Sequence, residues 1–423
     1  MCACLRRPWA CVLFLSFAVA PAVAVEIDRD ASLTLRDALS RVGEFNPDIK
    51  ASAFELPALD GRREQAGLHP NPAISLEVEN VAGIGAYEGA ESAEITLALS
   101  QLIELGGKRG LRVGIVDATY SVAESELAVR RLDVASEVLR RFVQVAREQE
   151  HVALSDHRSK LAERTLAAVE TRVNAARSPL AELHRAKAAR NQASLNRDNA
   201  ERQLRASLYR LAALWGESEP SFRSVKAELY SLPPISNLED LLRRLEESPD
   251  VARLLTEARL RDAELRLAEA RRRPDLTVSG GIRRLEQTND MALVFSVQLP
   301  LAINDRNQGA IREARVRREQ VDAQYAALLN TARADLFGFH QGLLQARAEI
   351  EALRGQVLPE LEDALRQTEL AYERGRYSYL ELVDAQRSVI EVRSTLIDAA
   401  ARYHSVLAEI ERLTGQAFAL PAY

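Results

Sequence analysis

Two patterns of apolar residues follow one another along this chain, and the pair occurs twice. Ala73-Ile-Ser-Leu-Glu-Val-Glu sets Ile74, Leu76 and Val78 against Ser75, Glu77 and Glu79, and the next run places Ile95, Leu97 and Leu99 on one face. This period of two predicts strands over about 73–82 and 93–101, joined by a Gly-rich loop from Gly83 to Gly89. About 200 positions later, Leu276, Val278 and Ile282 alternate with Thr277, Ser279 and Arg283. Leu293, Phe295 and Val297 then alternate with Ala292, Ser296 and Gln298, so strands are expected over about 276–283 and 291–299.

Helical periodicity follows each strand pair. From 108 to 176 there is no proline, and Leu132, Ala135, Leu139, Phe142 and Ala146 recur at helical spacing. One helix of that length would reach on the order of 100 Å. Its counterpart, about 306–374, carries a seam at Leu336, Phe339, Leu343, Ala346, Ile350, Leu353 and Val357, with a kink expected at Gly355 and Pro359. Breakers at Arg177-Ser178-Pro179 and Arg374-Gly375-Arg376 turn each long helix into a return helix, over 178–214 and 378–413. A shorter helix, Pro47 to Leu68 in the first half, precedes the strands, and its length complements the return helix, so two short helices stack end to end beside each long one. Asn46-Pro47-Asp48 returns as Ser248-Pro249-Asp250, and Trp215-Gly216 as Thr414-Gly415. The chain therefore divides into a first repeat, 25–216, a Pro-bearing linker, 217–236, and a second repeat, 237–423. A unit this long is a duplicated half-domain rather than a solenoid module.

Strands of nine or ten residues match the length that crosses a bilayer when tilted. Four strands cannot close a barrel, so a spanning sheet would need several chains. A soluble sandwich of two hairpins is the competing reading of the strands alone. Residues 1–24 have the layout of a secretory signal: Arg6-Arg7, an apolar core from Trp9 to Val19, and Ala22-Val23-Ala24 before a cleavage point at Val25. Cys2, Cys4 and Cys11 all fall in that segment, which leaves the mature chain with no disulfide and no acylatable first cysteine, hence not a lipoprotein. A net charge of -5 argues against nucleic acid as a partner. With 28% charged and only 5% aromatic residues, the composition favours long helices over a compact aromatic core.

Over nearly all of its mature length the chain resembles the TolC family of outer-membrane efflux proteins. The resemblance rests on the duplicated Asn-Pro-Asp and Ser-Pro-Asp entries, the paired strands and the run from Tyr372 through Gly375, Glu381 and Asp384 to Arg387. It implies a homotrimer with a twelve-stranded outer-membrane β-barrel continued by a periplasmic α-helical barrel, without catalysis or cofactors. It also implies a periplasmic adaptor and an inner-membrane transporter of the resistance-nodulation-division class as partners. Leu99-Ser-Gln-Leu-Ile-Glu-Leu-Gly-Gly-Lys-Arg109 is similar to a signature of CzcC-like members, which serve pumps for cobalt, zinc, cadmium or nickel, although Leu102 replaces the threonine of that signature. Heavy-metal export and export of drugs or other solutes both remain open on the sequence.

Within the signature, Gln101, Glu104, Gly106, Gly107, Lys108 and Arg109 mark the strand-to-helix joint. Gly106-Gly107 permits the sharp change of direction, and Lys108 and Arg109 suit a position below lipid headgroups. Glu381 and Asp384, three apart, share a helix face near the far tip. The resemblance makes them acidic rings at the periplasmic entrance; the alternative is a solvated face with Asp384 paired to Arg387. The resemblance also makes Tyr372 a hydrogen-bonding tie of the closed entrance and Arg374 and Arg376 its ionic ties, although two arginines there equally complement a helix C-terminus. His69, His151, His157, His184, His340 and His404 form no metal-ligand motif and read as solvated surface residues. The sequence contains no Ser/His/Asp arrangement or phosphate loop. A periplasmic coiled-coil adaptor, with one hairpin flanked by compact β domains, is the rival of another class.

Overall fold

The computed structural model describes residues 32–416; the signal segment, its cleavage point and the three cysteines lie outside them. Strand β1 (Ser32–Leu33) leads into α1 (Leu35–Phe45), whose first turn is closed by reciprocal bonds between Thr34 and Asp37. Helices α2 (Pro47–Ala53) and α3 (Glu55–Gly67) follow, interrupted at Phe54, so the segment from Pro47 to Leu68 is not one helix. Then come β2 (Ala73–Glu79) and β3 (Glu94–Ile103). The first strand ends three residues before the expected 82, because Asn80 and Ala82 take left-handed backbone conformations, φ 55° and 54°. The unbroken 67-residue α4 (Lys108–Asn174) turns into α5 (Leu180–Ala212).

The linker contributes β4 (Ser224–Val225) and is followed by α6 (Leu238–Glu246). The second repeat consists of α7 (Pro249–Ala270), β5 (Leu276–Leu285), β6 (Asp290–Gln298), α8 (Gln308–Ala352), α9 (Leu358–Glu373) and α10 (Tyr379–Thr414). Between α8 and α9 lies a π-helical turn, Leu353–Val357, where one long helix was expected. Pro359 has no N–H to donate one turn back, and the π-turn shifts the hydrogen-bond register there. The apolar seam is buried at Leu336, Leu343, Ala346 and Ile350 but is lost at Val357, which is exposed.

The four long strands form a single antiparallel sheet in the order β2-β3-β5-β6, so the two repeats join along β3 and β5. Register aligns Leu76, Leu97, Ile282 and Leu293 in one row across all four strands. That apolar face has no second layer over it among the described residues: Ile74, Leu76, Leu293 and Phe295 are all exposed, Phe295 at 78%. The soluble sandwich is thereby excluded. On the opposite face Arg283 bonds Thr96 (2.9 Å), Glu94 (2.6 Å) and Glu79 (3.0 Å), and Ser279 meets Ser296 at 2.9 Å.

Below the sheet, α4 packs against α3 and α5 of its own repeat and against α7 and α10 of the other. This central position explains why Val134, Val138 and Val145 are buried beside the Leu139, Phe142 and Ala146 seam. The main core is a belt at mid-length, where α1, α6 and the linker wrap the long helices around Phe142, Leu336, Leu343 and Tyr403. The linker is held there by side chains that imitate secondary structure. Gln149 receives a bond from the Val225 amide and donates to the Val225 carbonyl, at 2.6 and 3.1 Å, while β1 pairs with β4 on the other side.

Short helices meet end to end at the duplicated Pro motifs. In the first repeat the Asn46 amide donates to Leu214 O (2.7 Å), and its carbonyl accepts from Ile49 N (2.9 Å). One side chain thus closes the end of the return segment and the start of α2. In the second repeat Ser248 is too short for this and its buried hydroxyl has no partner among the described residues. Arg412, next to the end of α10, instead bridges Asp250 (2.5 Å) and Asp133. Asn46→Ala is expected to cost about 2 kcal/mol in chemical denaturation, Asn46→Asp less because it keeps the Ile49 bond, and Ser248→Ala close to nothing.

Candidate functional site

The two helical hairpins end side by side, and their tips share a small core of Val169, Ala186, Tyr372, Tyr379 and Leu382. Both tips turn by the same device: a residue in the left-handed region, Ala176 (φ 55°) or Gly375 (φ 74°), after the last helical turn. The tie between them comes from a residue that the sequence did not reveal. Arg172 of α4 donates to the Tyr372 carbonyl at 2.5 Å, lies 4.6 Å from the Tyr372 ring centroid and also bonds Ser178 Oγ at 3.1 Å. Tyr372 is buried, and its hydroxyl has no hydrogen-bond partner among the described residues. Its connection to the other hairpin within the chain therefore runs through its carbonyl and ring. Arg374 and Arg376 are exposed in the turn and make no ion pair among the described residues.

Glu381 and Asp384 are both exposed on the first turns of α10, but they do different things. Glu381 Oε2 accepts from the Ser378 amide (2.6 Å) and hydroxyl (2.8 Å), which closes a capping box at the start of α10. The Ser378 amide bond holds the Glu381 carboxyl below its ordinary pKa. Asp384 has no ion pair among the described residues, and the expected partner Arg387 does not reach it.

At the opposite end of α4, the strand-to-helix signature folds into a charge-clamped joint. Gly106 and Gly107 have φ of 79° and 70°, which turn β3 into α4, and Asn307 adopts φ 58° at the matching place before α8. Gln101 donates to the carbonyls of Pro70 (2.8 Å) and Leu102 (3.0 Å). Glu104 receives both guanidinium nitrogens of Arg112, which holds its carboxyl below the usual range. Lys108 does not reach toward headgroups: it is buried and its Nζ lies 2.7 Å from Asp275 of the second repeat. Asp275 also accepts the Leu105 amide at 2.9 Å. Arg109 meets His69 at the ring Nε2.

Among the described residues no three His, Cys, Asp or Glu side chains converge as a metal site. The histidines are not all solvated. His404 is fully buried, its Nε2–H donates to the Leu229 carbonyl at 3.0 Å, and burial lowers its pKa. His151 sits 3.1 Å from Asp398.

The family model described as "Outer membrane efflux protein" matches residues 38–217 and 242–416, one match to each repeat. The chain belongs to the outer membrane efflux protein family. This efflux protein is 31% identical to the cobalt-zinc-cadmium resistance protein CzcC of Cupriavidus metallidurans, over 91% of this chain and 90% of CzcC. It is 26% identical to the nickel and cobalt resistance protein CnrC of the same organism, over 63% of each chain. Among solved structures, the outer membrane protein VceC of Vibrio cholerae superposes with a TM-score of 0.71 at 19% identity, covering 91% of this chain and 97% of that one. The last likeness is one of fold. Membership makes the chain an outer-membrane transport protein and not an enzyme, and its two equivalent hairpins exclude the adaptor reading.

Two outcomes are expected at the tips of this efflux protein. Arg172→Ala should speed trypsin cleavage at the exposed Arg374 and Arg376 by roughly tenfold, the equivalent of about 1.4 kcal/mol of lost local stability. The Glu381 cap has the sign of a depressed carboxyl: fully present above the unfolded pKa of about 4.3 and lost as pH falls through the lower folded value. The protection factor of the Ser378 amide against hydrogen exchange, followed by NMR or mass spectrometry, should therefore hold at neutral pH and fall toward one only below about pH 4.

Proposed function

We propose that this protein is the outlet of a tripartite heavy-metal pump, carrying divalent cations such as cobalt, zinc, cadmium or nickel from a periplasmic adaptor and an inner-membrane transporter through the outer membrane. The observation that carries the channel reading is the sheet: an uncovered apolar face and two unpaired edges, β2 and β6. Backbone groups in hydrocarbon must be hydrogen-bonded, so β6 of one copy pairs with β2 of the next. Three copies of four strands close a twelve-stranded barrel. Exposed apolar side chains on the two outermost long helices, Leu195 and Tyr209 on α5 and Phe337 and Leu344 on α8, fit the same closure in the periplasmic part.

The metal assignment rests on the likeness to CzcC over nearly its whole length and on Glu104-Leu-Gly-Gly-Lys-Arg109. A conduit needs no tight ligand cluster, since tight binding slows release. At the entrance Asp384 is the acid free to face passing cations, repeated three times in the assembled tube, while Glu381 shapes the helix start behind it. Arg172, Tyr372, Arg374 and Arg376 make up the ties of the closed tip.

The test is conductance of the purified mature protein in planar bilayers. Cation-selective pores are expected, with selectivity reduced in Asp384→Asn and less affected in Glu381→Gln. Selectivity unchanged by both substitutions would remove the acidic entrance and keep the channel. In cells, deletion of the gene should raise sensitivity to cobalt, zinc or cadmium salts; unchanged metal tolerance with raised drug sensitivity would move the substrate to other solutes.

A further inference from the structure

The base of the second strand pair carries a cluster of cations that the fold does not use. A groove of about 560 Å³ opens between the end of α7 and the start of α8, lined by Arg272, Arg306, Arg312 and Arg315 together with Ile303 and Asn304. About half of the arginines elsewhere among the described residues are tied to carboxylates, as Arg112, Arg283 and Arg412 are. In the groove only Arg315 has a partner, Glu269 at 3.5 Å, and the side chains of Arg272, Arg306 and Arg312 have none among the described residues. The nearest other carboxylate along the connector, Asp305, is engaged by the Asn307 amide at 2.9 Å. Such a concentration of unpaired positive charge costs self-repulsion, in a chain whose net charge is -5.

The groove also has an apolar rim with a direction. Met291, Leu293, Phe295 and Val297 form the exposed stripe of β6, and the same alternation continues past the last ladder bond through Leu299, Leu301 and Ile303, all exposed. Exposed apolar residues therefore continue along the connector to the arginines, through a tight turn in which the Ile303 amide donates to the Leu301 carbonyl at 2.9 Å. The first repeat has no equivalent. There Arg112 is bound to Glu104, Lys108 to Asp275, and Arg109 to His69.

We propose that this groove binds the phosphate headgroup of an anionic phospholipid in the periplasmic leaflet of the outer membrane. Its acyl chains would lie along the Leu299, Leu301 and Ile303 extension of the barrel's outer face. Guanidinium forks match phosphate oxygens in bidentate fashion, and a juxtamembrane cation gains further from an anionic surface. One site per chain, at the foot of the edge strand β6, places lipid beside the seam between neighbouring copies. The inference rests on the reading that the apolar sheet face meets lipid.

The test reconstitutes the mature full-length protein into phosphatidylcholine vesicles with and without phosphatidylglycerol, extracts it gently and counts retained lipid by native mass spectrometry. Wild type is expected to retain phosphatidylglycerol selectively. Arg272→Gln with Arg306→Gln, which breaks no internal bond, should weaken that retention by roughly fivefold per arginine removed and leave bilayer insertion and conductance unchanged. Equal retention by variant and wild type, with insertion intact, overturns the lipid site and leaves the channel standing. Failure of wild type to insert in either vesicle overturns the channel reading and the site with it. If inorganic phosphate binds the delipidated protein as tightly as phosphatidylglycerol does, the groove is a free-anion site and the lipid assignment falls.

Discussion

A strand in hydrocarbon needs hydrogen-bond partners along both edges, and this chain supplies four strands with two edges left over. Most of the architecture follows from that deficit. Gene duplication provides two hairpins that pair through β3 and β5, and the edges of β2 and β6 are left for the proposed pairing with neighbouring copies. One face is apolar on every strand, whereas the other is polar, with Arg283 set between Glu79 and Glu94.

The same closure imposes a mismatch of scale on the rest of the molecule. Neighbouring strands lie about 4.8 Å apart and packed helices about 8–10 Å, so four helices occupy nearly twice the arc of four strands. The joints absorb the difference. Left-handed residues at Gly106, Gly107 and Asn307 let the chain change direction within one residue, and ionic clamps then fix the new direction. Lys108 with Asp275 is the most telling of these, because it fastens the first repeat's long helix to the second repeat's strand.

How much of this was legible in the sequence depended on the range of the interaction. Strand alternation, proline breakers and the recurring Asn-Pro-Asp and Ser-Pro-Asp motifs act within a few residues, so the sheet faces and hairpin turns could be read directly. Contacts between repeats could not. Arg172 and Tyr372 lie 200 positions apart and carry no local mark of their pairing. Glu381 is the opposite case: Ser378-x-x-Glu381 is a capping box whose spacing is local and visible in the sequence. Lys108 reads in the sequence as a membrane-surface cation, since its partner Asp275 belongs to the other repeat and leaves no local mark. The division of the second long helix at Leu353–Val357 came from the register shift that Pro359 imposes, which sequence position alone marks only as a kink.

The seam between β3 and β5 also bears on how the protein comes to exist. It pairs Glu94 with Leu285, across nearly half of the chain, so it forms only after the second repeat has been delivered. Until then the first hairpin waits in water with an apolar face and an open edge, the combination that promotes misassociation. An exported chain of this design depends on being shielded in transit, and its assembly is governed by the last hairpin to arrive.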